Sequence, residues 1–344
     1  MARRVAIIGT GWGLIHVGAF RAAGWEVAAL AGREPNRTAR IAAEQQIPQH
    51  TTDVATLFAD PTIDVIVVAT PHDVHAEHSI AAIEAGKHVL CEKPLARTVA
   101  EAEAMVRAAE ARPDRVAALN FPSRFLTPFA RLHSEIRAGA LGRIHQVLHQ
   151  SASALPRDDR NWMEASSQSL GALGEMGSHL LDLTMWLLGK QIRTVQSCCD
   201  EEDNSPNTQA NVLVTFEDGG SGVISVGPGH EPGIRTRWQA VGARSTLRTI
   251  ANYEPALGGW RVGPLIRIGP EGARETLDVG LVADPNIGGS DPWFAAHVAT
   301  ARALAAAIGG ESVPALATWH DGLRVQRVME AALESASSGQ RIEL

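Results

Sequence analysis

Over its first 119 residues the chain alternates short apolar runs with helical patterns, and this alternation leaves few architectures open to it. Residues 4–8, 26–30, 64–69, 89–91 and 115–119 read as strands. The segments between them carry helical periodicity, closed by Gly24 or Gly86, or opened by a capping box at Thr98 and Glu101. Strand, helix, strand in regular succession predicts an α/β fold with a doubly wound parallel sheet. In such sheets ligands bind beyond the carboxyl ends of the strands.

Past Asn120 the character changes. A helix over residues 127–138 ends at Gly139, and strand-like segments then recur at 144–151, 194–199, 211–216, 221–226, 235–241 and 245–250. Glu217-Asp218-Gly219-Gly220 reads as a hairpin turn between two of them. Few helices interrupt these strands, so this half is expected to be an α+β domain on a large, mostly antiparallel open sheet. Glycine-rich residues 269–290 read as loop, and alanine-rich helices at 293–308 and 319–335 finish the chain. The expected division is 1–119 and 120–344, each part long enough for a core of its own.

The first strand runs into Gly9-Thr10-Gly11-Trp12-Gly13 and then a helix. Glycines there permit a tight turn and let a pyrophosphate approach the backbone, while the helix N-terminus supplies N–H groups and a positive dipole. The third glycine of G-x-G-x-x-G would fall at Leu14, and the chain has Gly13 instead; a glycine turn without a ligand is the plain alternative. After the second strand an acidic side chain would hydrogen-bond the adenosine ribose of NAD. The chain exits that strand as Ala31-Gly32-Arg33, with Arg37 four residues on, and guanidinium groups suit a 2'-phosphate. NADP is therefore preferred over NAD, the alternative being that both arginines are ordinary surface charges.

Two further stretches carry chemistry. Val89-Leu90-Cys91 stops abruptly at Glu92-Lys93-Pro94, which places a lysine where a parallel sheet opens its cleft; a solvated lysine is the alternative on this run alone. Glu175 and His179 stand four residues apart, one face of a helix if the helix already includes Glu175, and a carboxylate-histidine pair suits proton transfer. The neighbouring leucines leave a satisfied core histidine as the rival reading. His72, His75 and His78 open another helix, but His72 and His78 diverge by about 120° and no carboxylate or cysteine completes a set, so no metal is expected.

A formal charge of −7 with both signs mixed argues against nucleic acid as a partner. No apolar run is long enough to span a bilayer or to serve as a signal peptide, and three cysteines form no bridge framework. A soluble cytoplasmic protein is expected.

Taken in order, these motifs resemble the glucose-fructose oxidoreductase / inositol dehydrogenase (Gfo/Idh/MocA) family. The match runs through Gly9 to Gly13 with His16, Ala69-Thr70-Pro71 with His75, Glu92-Lys93-Pro94, Asn120-Phe121-Pro122-Ser123-Arg124-Phe125, Gly177-x-His179-x-x-Asp182 and Gly322-Leu323-Arg324-Val325. The resemblance implies a Rossmann domain joined to a C-terminal α/β domain. It implies cofactor contacts at Gly9, Thr10, Gly11, Trp12, Gly13, Arg33, Arg37, Thr70, Pro71, His75, Glu92, Lys93 and Asn120. Substrate contacts are implied at Lys93, Trp162, Glu175 and His179, with His179 as the acid/base. Two departures stand out: Glu175 replaces the usual aspartate four residues before the histidine, and Trp162-Met163 replaces the frequent Trp-Arg.

The expectation is an NAD(P)-dependent dehydrogenase or reductase acting on a sugar, cyclitol or related hydroxyl compound. Its substrate is expected between the two domains, where Lys93 and His179 converge on one hydroxyl. Redox-neutral glycoside cleavage and a noncatalytic nucleotide sensor are the rivals. Strands with few helices to cover two faces predict a homodimer or homotetramer built on the second sheet.

Overall fold

The central strands of the N-terminal sheet are apolar on both sides, whereas the edge strand Gln49–Thr51 is polar. The computed structural model describes residues 3–154, 170–200, 208–230, 233–254, 259–279 and 291–344. In chain order it forms β1 (Arg4–Ile8), α1 (Leu14–Ala22), β2 (Glu26–Ala31), α2 (Pro35–Glu44), β3 (Gln49–Thr51), α3 (Val54–Ala59), β4 (Val65–Val68), α4 (His75–Glu84), β5 (His88–Cys91), α5 (Val99–Glu110) and β6 (Ala117–Leu119). Every residue of β4 is buried, as a parallel strand covered by helices on both faces requires.

The strand order is β6-β5-β4-β1-β2-β3, parallel throughout, the order of a dinucleotide-binding sheet. One strand has no signature in the sequence: the two-residue Ala317–Thr318 pairs antiparallel with β6 and closes that edge. It is too short to show a period. Thr98 caps the helix as expected, accepting from the Glu101 N–H at 3.2 Å. The Glu101 carboxylate reaches back to the Arg97 N–H at 3.0 Å.

Contacts divide the chain into two compact units, and the first gathers Met1–Phe125 with Phe294–Gln326. The late segment belongs there because helix Pro292–Ile308 sends Ala301, Ala303 and Leu304 into the cluster of Val5, Ile7, Phe20 and Leu30. Trp319 adds an indole N–H donated to the Ala118 carbonyl at 3.1 Å.

The second unit spans Leu126 to Ala283, with Asp291–Trp293 and Arg327–Leu344. It contains α6 (Thr127–Arg137), β7 (Ile144–Ala154), α7 (Ser178–Leu188), β8 (Ile192–Asp200), β9 (Gln209–Phe216), β10 (Ser221–Pro228), β11 (Gly233–Gly242), β12 (Thr246–Glu254), β13 (Gly259–Val262), β14 (Leu265–Ile268) and β15 (Arg274–Leu277). Its sheet runs β15-β14-β12-β11-β7-β10-β9-β8, then Ile342–Glu343, with β13 paired to β12. All pairings are antiparallel except β10 with β7. The region read as loop from residue 269 thus includes β15, whose Arg-Glu-Thr-Leu sequence is three-quarters exposed and lacks the apolar alternation that would have marked it.

β7 shows how this sheet is divided. Val147, His149 and Ser151 are buried on one face, while Gln146, Leu148 and Gln150 point the other way and are exposed. α7 lies against the buried face, and its leucines leave only Trp186 partly exposed.

Candidate functional site

The expected site residues fall in both units, and each group is described within its own. In the first unit, five strands end at a common edge, and the turn after β1 is shaped by what surrounds it. Gly9 has φ +132°, and a Cβ there would run into the Ala69 carbonyl oxygen. A Cβ on Gly13 would lie 2.5 Å from the Gly9 oxygen, whereas one on Gly11 would meet nothing within 4 Å. Gly9 and Gly13 are therefore demanded by the chain itself, and Gly11 leaves the open approach that a pyrophosphate needs. α1 begins at Gly13 with no side-chain cap.

Beyond β2, Arg33 and Arg37 are both exposed. The Arg37 guanidinium donates to the Thr10 carbonyl at 3.2 Å, so it lies against the glycine turn. Glu34, the acid nearest to this position, turns its carboxylate onto its own helix, accepting from the Asn36 N–H at 2.9 Å and from the Arg37 N–H.

The ends of β4, β5 and β6 are tied together by buried polar groups. Glu92 is 5 % exposed, and its Oε1 accepts from His16 Nε2 at 2.8 Å and from Asn120 Nδ2 at 2.6 Å. Its Oε2 accepts from the Lys93 N–H at 3.2 Å. Burial alone would push the Glu92 carboxyl up, but the hydrogen bond and field of His16, the field of His297 and the Asn120 bond together hold it at about 2. The carboxylate is thus ionised and fixed directly before Lys93, whose bond to Pro94 is cis.

His75, expected as a cofactor contact, is buried, with Nδ1 2.9 Å from the Pro94 oxygen and Nε2 3.0 Å from the Thr70 oxygen. Burial lowers its pKa, so the neutral ring serves one carbonyl at a time as donor. It braces the Thr70 and Pro94 turns against each other. Thr70 Oγ1 and Asn120 Oδ1 are buried without a hydrogen-bond partner. Orphaned polar atoms at the carboxyl edge, an open Gly11 and an uncapped helix N-terminus fit a dinucleotide.

His297 was not foreseen. It is buried, with its ring 5.6 Å from that of His16 and 6.5 Å from the exposed Trp12. Nothing in the sequence links residue 297 to residue 16, because their neighbourhood exists only once helix Pro292–Ile308 has docked.

In the second unit, Glu175 and His179 lie on one continuous helical run. Residues Leu173–Gly177 form a π-turn, and α7 begins at Ser178. The helix therefore already includes Glu175, the condition on which the pairing rested, within a turn wider than the 3.6 residues assumed. Small residues allow it: a Cβ on Gly174 would stand 2.5 Å from Leu170 Cβ, and one on Gly177 2.8 Å from Leu173 Cδ1.

His179 is buried, and its ring meets Trp293 edge-on at 5.8 Å. One residue further along, the Leu180 carbonyl accepts from His149 Nδ1 at 3.1 Å, and Thr184 Oγ1 lies 2.9 Å from the same nitrogen. His149 is wholly buried, and desolvation drives its pKa down to about 3. Trp162 lies outside the described residues.

Comparison with known proteins agrees with the two-part fold. Residues 3–119 match the oxidoreductase family with an NAD-binding Rossmann fold, GFO_IDH_MocA, and residues 133–344 match its C-terminal alpha/beta domain. The chain belongs to the Gfo/Idh/MocA family. Levoglucosan dehydrogenase of Pseudarthrobacter phenanthrenivorans is 36 % identical over 165 residues, which is 47 % of this chain and 42 % of that protein. The NADP(+)-linked scyllo-inositol 2-dehydrogenase IolW of Bacillus subtilis is 28 % identical over 303 residues, covering 83 % of this chain and 80 % of that one. A levoglucosan dehydrogenase structure in complex with NADH and levoglucosan superimposes with a TM-score of 0.85 at 24 % identity, over 100 % of this chain and 99 % of that one. As a Gfo/Idh/MocA member the chain uses NAD or NADP.

Proposed function

We propose that this Gfo/Idh/MocA member is a dehydrogenase or reductase that moves a hydride between the nicotinamide and a CH–OH carbon of a sugar, cyclitol or related polyhydroxylated molecule. The observation that carries this reading is the buried Glu92 carboxylate, held by His16 and Asn120 directly before Lys93 at the end of β5. When bound, the nicotinamide supplies the hydride acceptor or donor. The Lys93 ammonium stabilises negative charge developing on the oxidised hydroxyl, and His179 takes its proton. Glu175 acts on the same proton path or on its neighbours.

NADP is the preferred nucleotide. The support is Glu34 spent on its own helix while Arg33 and Arg37 stay exposed beside the glycine turn. The protein works in the cytoplasm as a homodimer or homotetramer. Support for self-association comes from Leu213, Val223 and Leu148, which stand side by side across β9, β10 and β7 on the uncovered face. Among the described residues no helix is long and apolar enough to cross a membrane.

The test is reduction of NADP and NAD, followed at the nicotinamide absorbance band, against a panel of cyclitols, aldoses and glycosides. Turnover with at least one cyclic polyol is expected. Binding of nucleotide with no oxidation anywhere in the panel, in either direction, would overturn the reading.

A further inference from the structure

The second unit carries an aromatic assembly beside His179 that no motif announced. Trp293 stacks on Trp260 with ring centroids 4.9 Å apart and planes 21° from parallel, and Trp260 in turn meets Tyr253 at 5.9 Å. One carboxylate holds the pair. Asp291 Oδ1 accepts from the backbone N–H of Trp260 at 2.8 Å and from that of Trp293 at 3.2 Å, so one oxygen holds both residues. Gly259 accommodates that carboxylate closely, since a Cβ there would lie 3.2 Å from Asp291 Cγ. Trp260 is 8 % exposed, whereas Trp293, the member that touches His179, keeps part of its surface open.

An indole fixed in place by a stacked partner and a shared carboxylate, and left partly open next to an imidazole, is a rigid apolar wall beside a proton-transfer group. We propose that Trp293, backed by Trp260, takes the C–H face of a ring-shaped polyol, a cyclitol or a pyranose, and so presents its hydroxyl edge to His179. This rests on the dehydrogenase reading above and narrows its substrate class. A ring offers several C–H bonds on one rigid side, whose contacts with an indole add up without any loss of torsional freedom. An open-chain alditol must freeze its rotors to present the same face, which costs conformational entropy. The wall therefore favours rings over chains with the same hydroxyl count.

The experiment compares myo-inositol and methyl glucopyranoside with sorbitol, using the whole protein with its nucleotide. Trp293→Leu is expected to raise KM for the best cyclic substrate about tenfold with kcat within about threefold, since packing of this kind is worth about that much in affinity. Trp293→Phe should recover most of the loss. Asp291→Ala should reproduce part of it, and Asp291→Asn, which keeps an acceptor oxygen, should not. In parallel, saturation-transfer NMR should show ring C–H protons of the bound cyclic polyol receiving saturation from the wild-type protein and distinctly less, relative to its other protons, from Trp293→Leu.

An unchanged KM in Trp293→Leu, or a wild-type protein that oxidises sorbitol in preference to both rings, overturns the wall while leaving the dehydrogenase reading standing. If no compound is oxidised, that reading falls. The NMR arm then decides the wall alone: relative saturation of the ring protons that falls with Trp293→Leu supports it, and no saturation by the wild type, or the same pattern in both proteins, overturns it.

Discussion

Asn120 donates from Nδ2 to Glu92 Oε1 at 2.6 Å, and that bond decides which way the amide faces. A carboxylate only accepts, so Nδ2 is committed to it and Oδ1 is left as a fixed acceptor at the end of β6, buried and without a hydrogen-bond partner. Leaving such an atom unmet costs about 1–3 kcal/mol. A ligand N–H or O–H relieves that cost. Asn120→Ala should therefore weaken NADPH binding by about tenfold, read by fluorescence titration. Unchanged affinity would remove Asn120 from the cofactor site.

Acid should destabilise the protein in two stages. His149 has its pKa driven down to about 3 by burial, from an ordinary 6.5, so the unfolded chain takes up a proton first as pH falls below 6.5 and stability declines from there towards 3. Glu92 has its carboxyl held at about 2 against an ordinary 4.5, because its polar partners outweigh burial. Its contribution is full above 4.5 and lost as pH falls through 2. His149→Gln retains an N–H for the Leu180 carbonyl but cannot titrate. It should lower stability at pH 7.5 yet flatten the loss between pH 7 and pH 4, which in the parent amounts to roughly a few kcal/mol. Denaturant unfolding at several pH values checks this, and parallel slopes in the two proteins would clear His149 of the role.

The first sheet was largely legible because its central strands each carry their own signal, whereas the short polar Gln49–Thr51 and the two-residue Ala317–Thr318 carry none. Residues 65–68 are four consecutive β-branched residues that only a buried strand explains, and the glycine turn and the Thr98 cap are local patterns whose cause lies within a few residues. The π-turn at Glu175 was not legible. It depends on Gly174 and Gly177 letting Leu170 and Leu173 close in, a fact about packing that no periodicity records. The same holds for His297 and Trp293. Both sit on an alanine-rich helix that reads as featureless, and each gains meaning from residues more than a hundred positions away.

Nucleotide choice follows from the end of β2. With Glu34 turned onto α2 and Arg37 on the Thr10 carbonyl, the exposed groups in this region include two guanidiniums. NADP should bind more tightly than NAD, and Arg33→Asp should narrow or invert that order by removing a phosphate partner and adding repulsion. Calorimetric titration with both nucleotides decides it. Tighter binding of NAD by the unmodified protein would make the arginines surface charges.

The uncovered face of the second sheet should be an interface between copies of the chain. Leu148 is 40 % exposed and Leu213 47 %, and the register aligns them through Val223 into one apolar row. Exposed leucines set in line across adjacent strands form a continuous patch rather than isolated apolar spots. Light scattering at micromolar concentration should give twice or four times the chain mass. The double substitution Leu148→Asp and Leu213→Asp should shift it towards the monomer, and a monomer mass for the parent protein would end the proposal.

The last prediction separates binding from chemistry. The phosphate site is proposed at the glycine turn and the start of α1, whereas Lys93 follows β5 and His179 opens α7. Removing either side chain should therefore spare the nucleotide and harm turnover. Lys93→Met and His179→Ala should each lower kcat by ~10²–10³, since a developing charge or a departing proton loses its partner in a site where water substitutes poorly. NADPH affinity should stay within a few-fold of the parent value in both. Glu175→Gln should cost less. The role expected of its carboxylate is to orient or tune its neighbours rather than to take the proton itself. Stopped-flow measurement of hydride transfer, together with nucleotide titration, reads both quantities. Full hydride-transfer rates in His179→Ala would overturn its role as base, and a loss in Glu175→Gln as deep as in His179→Ala would move Glu175 into the proton path itself.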